Sequence, residues 1–173
     1  MDTNKQLINA LRNLPATVDE VDYRKRGFHL EVVLEAEQVR QFAMLMREQR
    51  FYLVFVSAVH VDPAIRIIYQ FASFEHPCRI VGRAAVSDDG AIPTISDIFQ
   101  GANWHERETR DMYGVLFSGH PYLVPLLLAE EDVDLKPLLK GEGALKEWDR
   151  VRRPDEVPQP EAAPQKGKEG EVA

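Results

Sequence analysis

The sequence predicts an α+β fold: a mostly antiparallel sheet packed against two or three helices, followed by an irregular C-terminal arm and a disordered tail. Three observations favour it. Apolar residues recur at helical spacing in the N-terminal segments, β-rich runs separated by turn signals lie between 51 and 86, and proline and charged residues dominate the segment after 153. With 173 residues and 45% hydrophobic residues, the chain can build one domain with a buried core.

Two amphipathic helices and a hairpin are predicted between the N-terminus and Glu48. The first helix carries Leu7 and Leu11 on one face and ends before Pro15, because the residue preceding proline is driven out of the α region. Alternating apolar and polar residues from 18 to 34 predict a hairpin with a polar turn at 24–27. The second helix, 36–48, is the most regular, since its apolar side chains recur at i, i+3, i+4 and i+7.

Three further strands are expected to form an antiparallel meander. The run from 51 to 61 is apolar at almost every position, which is typical of a strand covered on both faces. We therefore place it at the centre of the sheet. Strands at 65–74 and 78–86 follow after proline-containing turns, and a short helical turn is expected before Gly101.

Composition excludes several function classes. The formal net charge of −7 gives no basic footprint for nucleic acid. One cysteine, Cys78, cannot form an internal disulfide, an iron–sulfur cluster or a cysteine-rich zinc site. No apolar run has the roughly 18 to 20 residues of a spanning helix, and no secretory signal pattern opens the chain. We expect a soluble protein of a reducing compartment that reaches a membrane only through partners.

Enzyme signatures are also missing from the sequence. It contains no dinucleotide-binding glycine pattern, no phosphate loop, no zinc-protease pair of histidines and no nucleophile elbow. The histidines are dispersed and best interpreted as surface or structural residues; they are His29, His60, His76, His105 and His120.

The segment 103–114 is the densest in charge. It predicts a helix that Asn103 caps, that Glu106 completes as a capping box, and that Gly114 ends. Two i, i+4 ion pairs are expected, Glu106 with Arg110 and Arg107 with Asp111.

Two interpretations of this helix are open, a solvated charged face or a face that docks into another protein. Each predicted pair contributes only roughly 0.2 to 0.5 kcal/mol on an exposed helix, which is too little to explain so much charge. Glu106, Glu108 and Asp111 could also hold a hard cation, but the interleaved arginines would compete for them. Docking is favoured, because paired charges at an interface fix orientation.

An apolar, proline-interrupted segment follows this helix, from Phe117 to Leu128. It either packs back on its own sheet or extends along a partner, since contiguous apolar surface usually marks an interface. These observations divide the chain into an α+β domain at 1–117, a C-terminal arm at 118–153 and a disordered proline-rich tail at 154–173.

The stretch from Glu106 to Pro121 resembles the signature of the C subunit of respiratory complex I (NADH:quinone oxidoreductase). The pattern is Glu-Arg-Glu, two free positions, an acid, two apolar residues, six further residues and then a histidine. Similarity extends over roughly 30 to 140. After His120-Pro121 this chain has Tyr-Leu-Val-Pro where the family commonly has Asp-Leu-Arg-Arg, so arginines that would meet a partner's carboxylates are missing.

The resemblance implies a non-catalytic structural and assembly subunit of the hydrophilic arm. It would support the quinone-site subunit, help couple electron transfer to ion translocation, and lie peripherally on the cytoplasmic side of the cell membrane. The alternative is the equivalent subunit of an energy-converting nickel–iron hydrogenase or formate hydrogenlyase, beside a hydrogenase-large-subunit-like protein. Iron–sulfur clusters, and flavin or a nickel–iron site, are expected in partner subunits and no cofactor in this chain.

We assign partner docking, and no catalytic or metal-binding role, to nine residues of this signature. They are Trp104, Glu106, Arg107, Glu108, Asp111, Tyr113, Phe117, His120 and Pro121. Two rival hypotheses are a stand-alone enzyme that uses the acidic cluster with His105 or His120, and an adaptor outside any redox complex.

Overall fold

A computed structural model describes residues 3–75, 77–141 and 143–152. The described part has the predicted α+β fold. Its helices are α1 (Thr3–Arg12), α2 (Tyr23–Arg26), α3 (Val39–Glu48), α4 (Ala102–Tyr113) and α5 (Trp148–Arg152). Short 3-10 turns lie at Ala36–Gln38 and Glu130–Asp132. The predicted disordered tail, 154–173, lies outside the described residues.

Five strands form one mixed sheet with the order β1-β2-β5-β4-β3. They are β1 (Thr17–Glu20), β2 (Leu30–Leu34), β3 (Tyr52–His60), β4 (Ile65–Ala72) and β5 (Arg79–Ala85). Neighbours are antiparallel except β2 and β5, which are parallel. Two shorter strands, β6 (Ala91–Pro93) and β7 (Leu116–Ser118), form a separate parallel pair that the sequence analysis missed.

The N-terminal hairpin and the meander are both confirmed, with one difference in the hairpin turn. The polar residues at 24–27 belong to the short helix α2, which Asp22 caps through a bond from the Arg24 amide (2.9 Å). Gly27, in the left-handed region at φ 77°, ends this helix. The chain then enters β2 antiparallel to β1.

The central position predicted for β3 is wrong, because β3 lies at the edge of the sheet. Among the described strands it pairs with β4 alone, and α4 contacts it. One face of the strand contributes Val56 and Ala58 to the core, while Tyr52 and Val54 are exposed. An apolar composition therefore does not distinguish this edge strand from a central one.

Helices α1 and α3 cover one face of the sheet and form the main core with it. Phe42 of α3 packs edge to face against Phe71 of β4, with ring centroids 5.5 Å apart. Gly82 of β5 makes this contact possible, since a β-carbon there would collide with the Phe42 ring. The missing side chain lets the helix lie close to the sheet.

The other face of the sheet receives the C-terminal strap, residues 143–152. The strap joins the end of β3 through backbone bonds from Asp62 to Lys146 (3.0 Å) and from Trp148 to Asp62 (3.2 Å). The Trp148 ring lies against the guanidinium groups of Arg66 and Arg83, at 5.2 and 5.4 Å. These cation–π contacts fix α5 over the middle of the sheet.

A buried carboxylate, Glu31, holds the strap to the sheet. Glu31 is 2% exposed and accepts hydrogen bonds from Arg83 Nε and Arg152 Nε, both at 2.7 Å. Arg152 also donates to Asp19 of β1 at 2.7 Å. The network joins β1, β2, β5 and α5, and the sequence analysis did not predict it.

Candidate functional site

The candidate site is built on α4, whose ends differ in how well they were predicted. Gly114 ends the helix as predicted, with φ 77° and its N–H bonded to the Arg110 carbonyl. The predicted N-terminus is wrong. Gly101 is the N-cap and makes no side-chain cap bond, so neither Asn103 nor Glu106 caps the first turn.

Glu106 faces the interior, where a short loop before α4 holds it. Its side chain is 0% exposed and accepts hydrogen bonds from the Thr94 hydroxyl and from the Ile95 amide (2.8 Å). Burial raises the pKa of Glu106 to about 7, although both hydrogen bonds favour the ionised form. The buried Tyr69 hydroxyl has no hydrogen-bond partner within the described residues, and its pKa is also raised by burial and by Glu106.

His120 closes the other side of this pocket. Its Nε2 lies 3.9 Å from Glu106 Oε2 and 3.3 Å from the Asn103 carbonyl, while Nδ1 accepts from the Tyr122 amide (3.1 Å). These partners assign the neutral tautomer with hydrogen on Nε2. Burial lowers the pKa of His120, which agrees with a neutral ring.

Asp111 binds the arm from one side. Its Oδ2 accepts from the amides of Leu126 (2.8 Å), Leu127 (2.8 Å) and Leu128 (3.2 Å). Burial acts to raise the pKa of Asp111, but these backbone donors and Arg110 together hold it below the ordinary value. One carboxylate thus orders three successive residues of the arm.

Arg107 binds the same arm one turn earlier. Its Nε donates to the Val124 carbonyl (3.0 Å), its Nη2 to the Pro125 carbonyl (2.7 Å), and its guanidinium lies 5.5 Å from the Tyr122 ring centroid. The predicted Arg107–Asp111 pair is wrong, because each residue binds backbone groups of the arm instead. The Glu106–Arg110 pair is wrong as well, since Arg110 contacts Asp111 at 3.4 Å and Glu106 points inward.

The arm therefore packs back on its own chain, along α4 rather than on the sheet. Three large apolar side chains on α4 and the first part of the arm are exposed: Trp104 is 69%, Tyr122 63% and Leu127 60% exposed. Between α4 and the arm lies an open groove of about 630 Å³. It is lined by Gln100, Gly101, Trp104, His105, Glu108, Leu126 and Leu127.

The nine predicted docking residues divide by exposure. Trp104, Glu108 and Pro121 are exposed, while Arg107 and Tyr113 are partly buried and burial raises the pKa of Tyr113. The side chains of Glu106, Asp111, Phe117 and His120 are buried, so their contacts lie within the chain. Sequence reasoning missed Thr94 and the amides of 126–128, because these groups carry no charge and lie 12 to 17 residues from the carboxyl groups that they bind.

The chemistry open to this site is limited by access. Glu106 and His120 could hold a proton between them, but both side chains are 0% exposed. Among the described residues, no three side chains of His, Cys, Asp or Glu come together as a metal site. No helix in the described ranges is both long and apolar enough to cross a bilayer. The exposed surface is suited to binding a protein.

Comparisons with solved structures show the same fold. The trypsin-resistant fragment of Nqo5 matches with a TM-score of 0.57 and 22% identity, over 69% of this chain and 98% of the fragment. A chain of the membrane-bound sulfane sulfur reductase, an archaeal respiratory membrane complex, matches with a TM-score of 0.68 and 20% identity, over 99% of this chain and 100% of that one.

Sequence relatives include the C subunit of the NADH-quinone oxidoreductase of Roseiflexus castenholzii, 33% identical over 110 residues, which are 59% of this chain. The chain spans 63% of the length of that relative. The C subunit of the F420H2 dehydrogenase of Methanosarcina mazei is 35% identical over 44% of this chain and 49% of its own length. The C/D subunit of the Nitrosospira multiformis NADH-quinone oxidoreductase is 46% identical over 39% of this chain and 12% of its own length.

The family model for the 30 kDa subunit of the respiratory-chain NADH dehydrogenase matches residues 16–145, three quarters of the chain. That span contains every strand of the described residues, together with α4 and most of the arm, and it begins after α1. The resemblance noted in the sequence is thereby confirmed. The chain belongs to the family of the respiratory-chain NADH dehydrogenase 30 kDa subunit.

Proposed function

We propose that the chain is a non-catalytic structural and assembly subunit in the hydrophilic arm of a membrane-bound, complex I-like oxidoreductase. In this proposal it supports the quinone-site subunit and helps couple electron transfer to ion translocation. The redox centres lie in the partner subunits, and the chain meets the membrane peripherally through them, on its cytoplasmic side.

The observation that carries the proposal is the exposed apolar surface over α4 and the arm. Trp104, Tyr122 and Leu127 each keep more than half of their surface in water. Clustered exposed aromatic and aliphatic side chains mark protein–protein interfaces, where such anchors contribute most of the binding energy.

The scaffold beneath this surface is ordered before any partner arrives. Arg107 and Asp111 hold the arm through five hydrogen bonds to its backbone, so binding would not have to order it. A pre-ordered binding surface lowers the entropic cost of association. The charges of the signature therefore act by shaping the docking surface.

The names of the relatives support the choice of partner. The Nitrosospira relative is named as a C/D subunit, and only 12% of its length aligns with this chain, which leaves room for the D part. A single C/D chain keeps the two parts together, so we propose a neighbour that resembles the D part and forms the quinone site. Relatives named for NADH and for F420H2 both occur, so the proposal leaves the electron donor open.

Affinity purification of the full chain from mildly solubilised membranes, with mass spectrometry, tests the proposal. We expect a quinone-site-type partner with the wild type and at least a tenfold loss of it with Trp104→Ala, because buried aromatic anchors commonly contribute about 2 kcal/mol or more. Phe74→Ala is the matched control, since Phe74 is 91% exposed, stacks on Tyr52 and does not line the groove at α4.

Two results would overturn the proposal. One is wild-type recovery of all subunits with the double variant Trp104→Ala, Tyr122→Ala. The other is a captured partner with two Cys-x-x-Cys pairs that bind nickel, which would establish the energy-converting hydrogenase alternative.

A further inference from the structure

We propose that the groove between α4 and the arm receives a segment of the partner protein that carries an apolar anchor side chain flanked by lysine or arginine. The inference rests on the proposed function and adds the chemistry of the partner surface. It depends on two features that occur together, an apolar floor and an acidic rim.

The floor, by which we mean the apolar lining of the groove, is held in place by contacts within the chain. Trp104 forms one wall and Leu126 and Leu127 form the other. The backbone of both leucines is held by Asp111, so the side chains stand in defined positions. A groove of about 630 Å³ accommodates one large aliphatic or aromatic side chain with its neighbours.

The rim, by which we mean Glu108 and the four carboxylates that follow the leucines on the arm, is acidic. Glu108 lines the groove itself and is exposed. Four carboxylates follow the leucines on the arm, and the stretch from Tyr122 to Leu135 contains no lysine or arginine. These carboxylates are Glu130, Glu131, Asp132 and Asp134, all of them exposed and none in an ion pair within the described residues.

The short sequence separation between the leucines and the first of these carboxylates keeps them close in space. Glu130 comes three residues after Leu127, so their α-carbons are at most about 11 Å apart. The 3-10 turn at Glu130–Asp132 keeps the following residues compact. A partner side chain in the groove would therefore lie beside Glu108 and near Glu130, neither of which forms an ion pair within the described residues, so its favoured neighbours are cations.

Other occupants fit less well. The residues after 152 have five carboxylates against three cations and no aromatic side chain, so the chain's own end does not complement an acidic rim. The longest run of cations that a second copy could offer is the basic turn at 24–26. Its aromatic neighbour Tyr23 is already stacked on His29 and lies under the guanidinium of Arg79.

The experiment combines cross-linking and charge neutralisation in the full chain within native membranes. Gln100, exposed at the groove, is replaced by photoreactive p-benzoylphenylalanine, and the captured peptide is sequenced. We expect a peptide of another protein of the complex in which an apolar residue lies within four positions of at least two lysines or arginines. A neutral or acidic peptide, a peptide of this chain, or no adduct would overturn the inference.

The neutralised variant carries Glu130→Gln, Glu131→Gln and Asp132→Asn. We expect about tenfold weaker retention of the partner at physiological salt, since each exposed charge pair contributes roughly 1.5- to 5-fold. The matched control removes three exposed carboxylates elsewhere, with Glu20→Gln, Glu37→Gln and Glu48→Gln, and should change retention less than twofold.

The two proposals fail in different ways. Equal retention by the rim variant and the control would refute the basic partner segment. If Trp104→Ala still released the partner, the docking surface itself would stand. If Trp104→Ala also left the complex intact, the proposed function would fall with it.

Discussion

The buried carboxylate Glu106 makes the stability of the domain depend on pH in a defined direction. Its pKa rises from an ordinary 4.5 to about 7 in the folded chain. Below about pH 4.5 the group is protonated in both the folded and the unfolded states, and its contribution to stability is fully present. As the pH rises through 7, the unfolded state has already released this proton while the folded state must lose it, so stability falls.

The size of this effect follows from the difference between the two pKa values. Each tenfold change in proton affinity corresponds to about 1.4 kcal/mol, so ionised Glu106 lowers the free energy of unfolding by about 3 kcal/mol above pH 8. Glu106→Gln keeps a neutral, nearly isosteric group against Thr94 and Ile95 and removes the titration. Relative to the wild type, this variant should gain about 3 kcal/mol of stability between pH 4.5 and pH 8.5.

Urea unfolding followed by tryptophan fluorescence measures this difference at a series of pH values. Trp104 is exposed and Trp148 is packed between arginines, so unfolding changes the emission of Trp148. Glu108→Gln, on the exposed side of the same helix, is the control and should follow the wild-type curve. A raised pKa of Glu106 would be contradicted if the stability difference between wild type and Glu106→Gln varied over this range by less than about 0.5 kcal/mol, the size of an ordinary surface effect.

Three other variants test the contacts that build the fold and the arm. Glu31→Gln leaves Arg83 and Arg152 without their shared carboxylate, which should cost about 3 to 5 kcal/mol and lower the melting temperature by about 6 to 20 °C in calorimetry; an unchanged melting temperature would contradict it. Asp111→Asn should lower the free energy of unfolding by about 1.5 to 3 kcal/mol and speed hydrogen exchange at the amides that Asp111 binds. Unchanged exchange would argue against its role in ordering the arm. Gly82→Ala should lower the free energy of unfolding, measured in urea, by about 1 to 3 kcal/mol, because it overpacks the core against Phe42. An unchanged value would mean that α3 shifts to make room for the added methyl group.

Local patterns predicted most elements of the fold because they depend on nearby residues. The hairpin, the meander and the stop at Gly114 follow from alternation, turn residues and a left-handed glycine. The edge position of β3 did not follow, because the strand order depends on pairings between residues that are distant in sequence. The parallel pairing of β2 with β5 has no local signal either, since α3, β3 and β4 lie between them in sequence.

The candidate site shows the same division. The sequence identified the residues of the signature but assigned their charges to each other and to a partner. In the structure Arg107 and Asp111 bind carbonyls and amides of the arm, and Glu106 binds a hydroxyl and an amide. Backbone groups are the same at every position, so no pattern of side chains points to them. Exposed Trp104 and Glu108 remain as predicted candidates for contact with a partner.

The C-terminal strap has a consequence for how the chain is made. The bond from Arg152 to Asp19 spans 133 residues, and the bond from Arg152 to Glu31 spans 121. During synthesis the N-terminal strands leave the ribosome long before their last partner, and until then Glu31 has only Arg83 to share its charge. The domain therefore reaches its final form only when the residues of α5 have emerged, so a nascent chain shortened before Trp148 should be trapped with that face of the sheet uncovered.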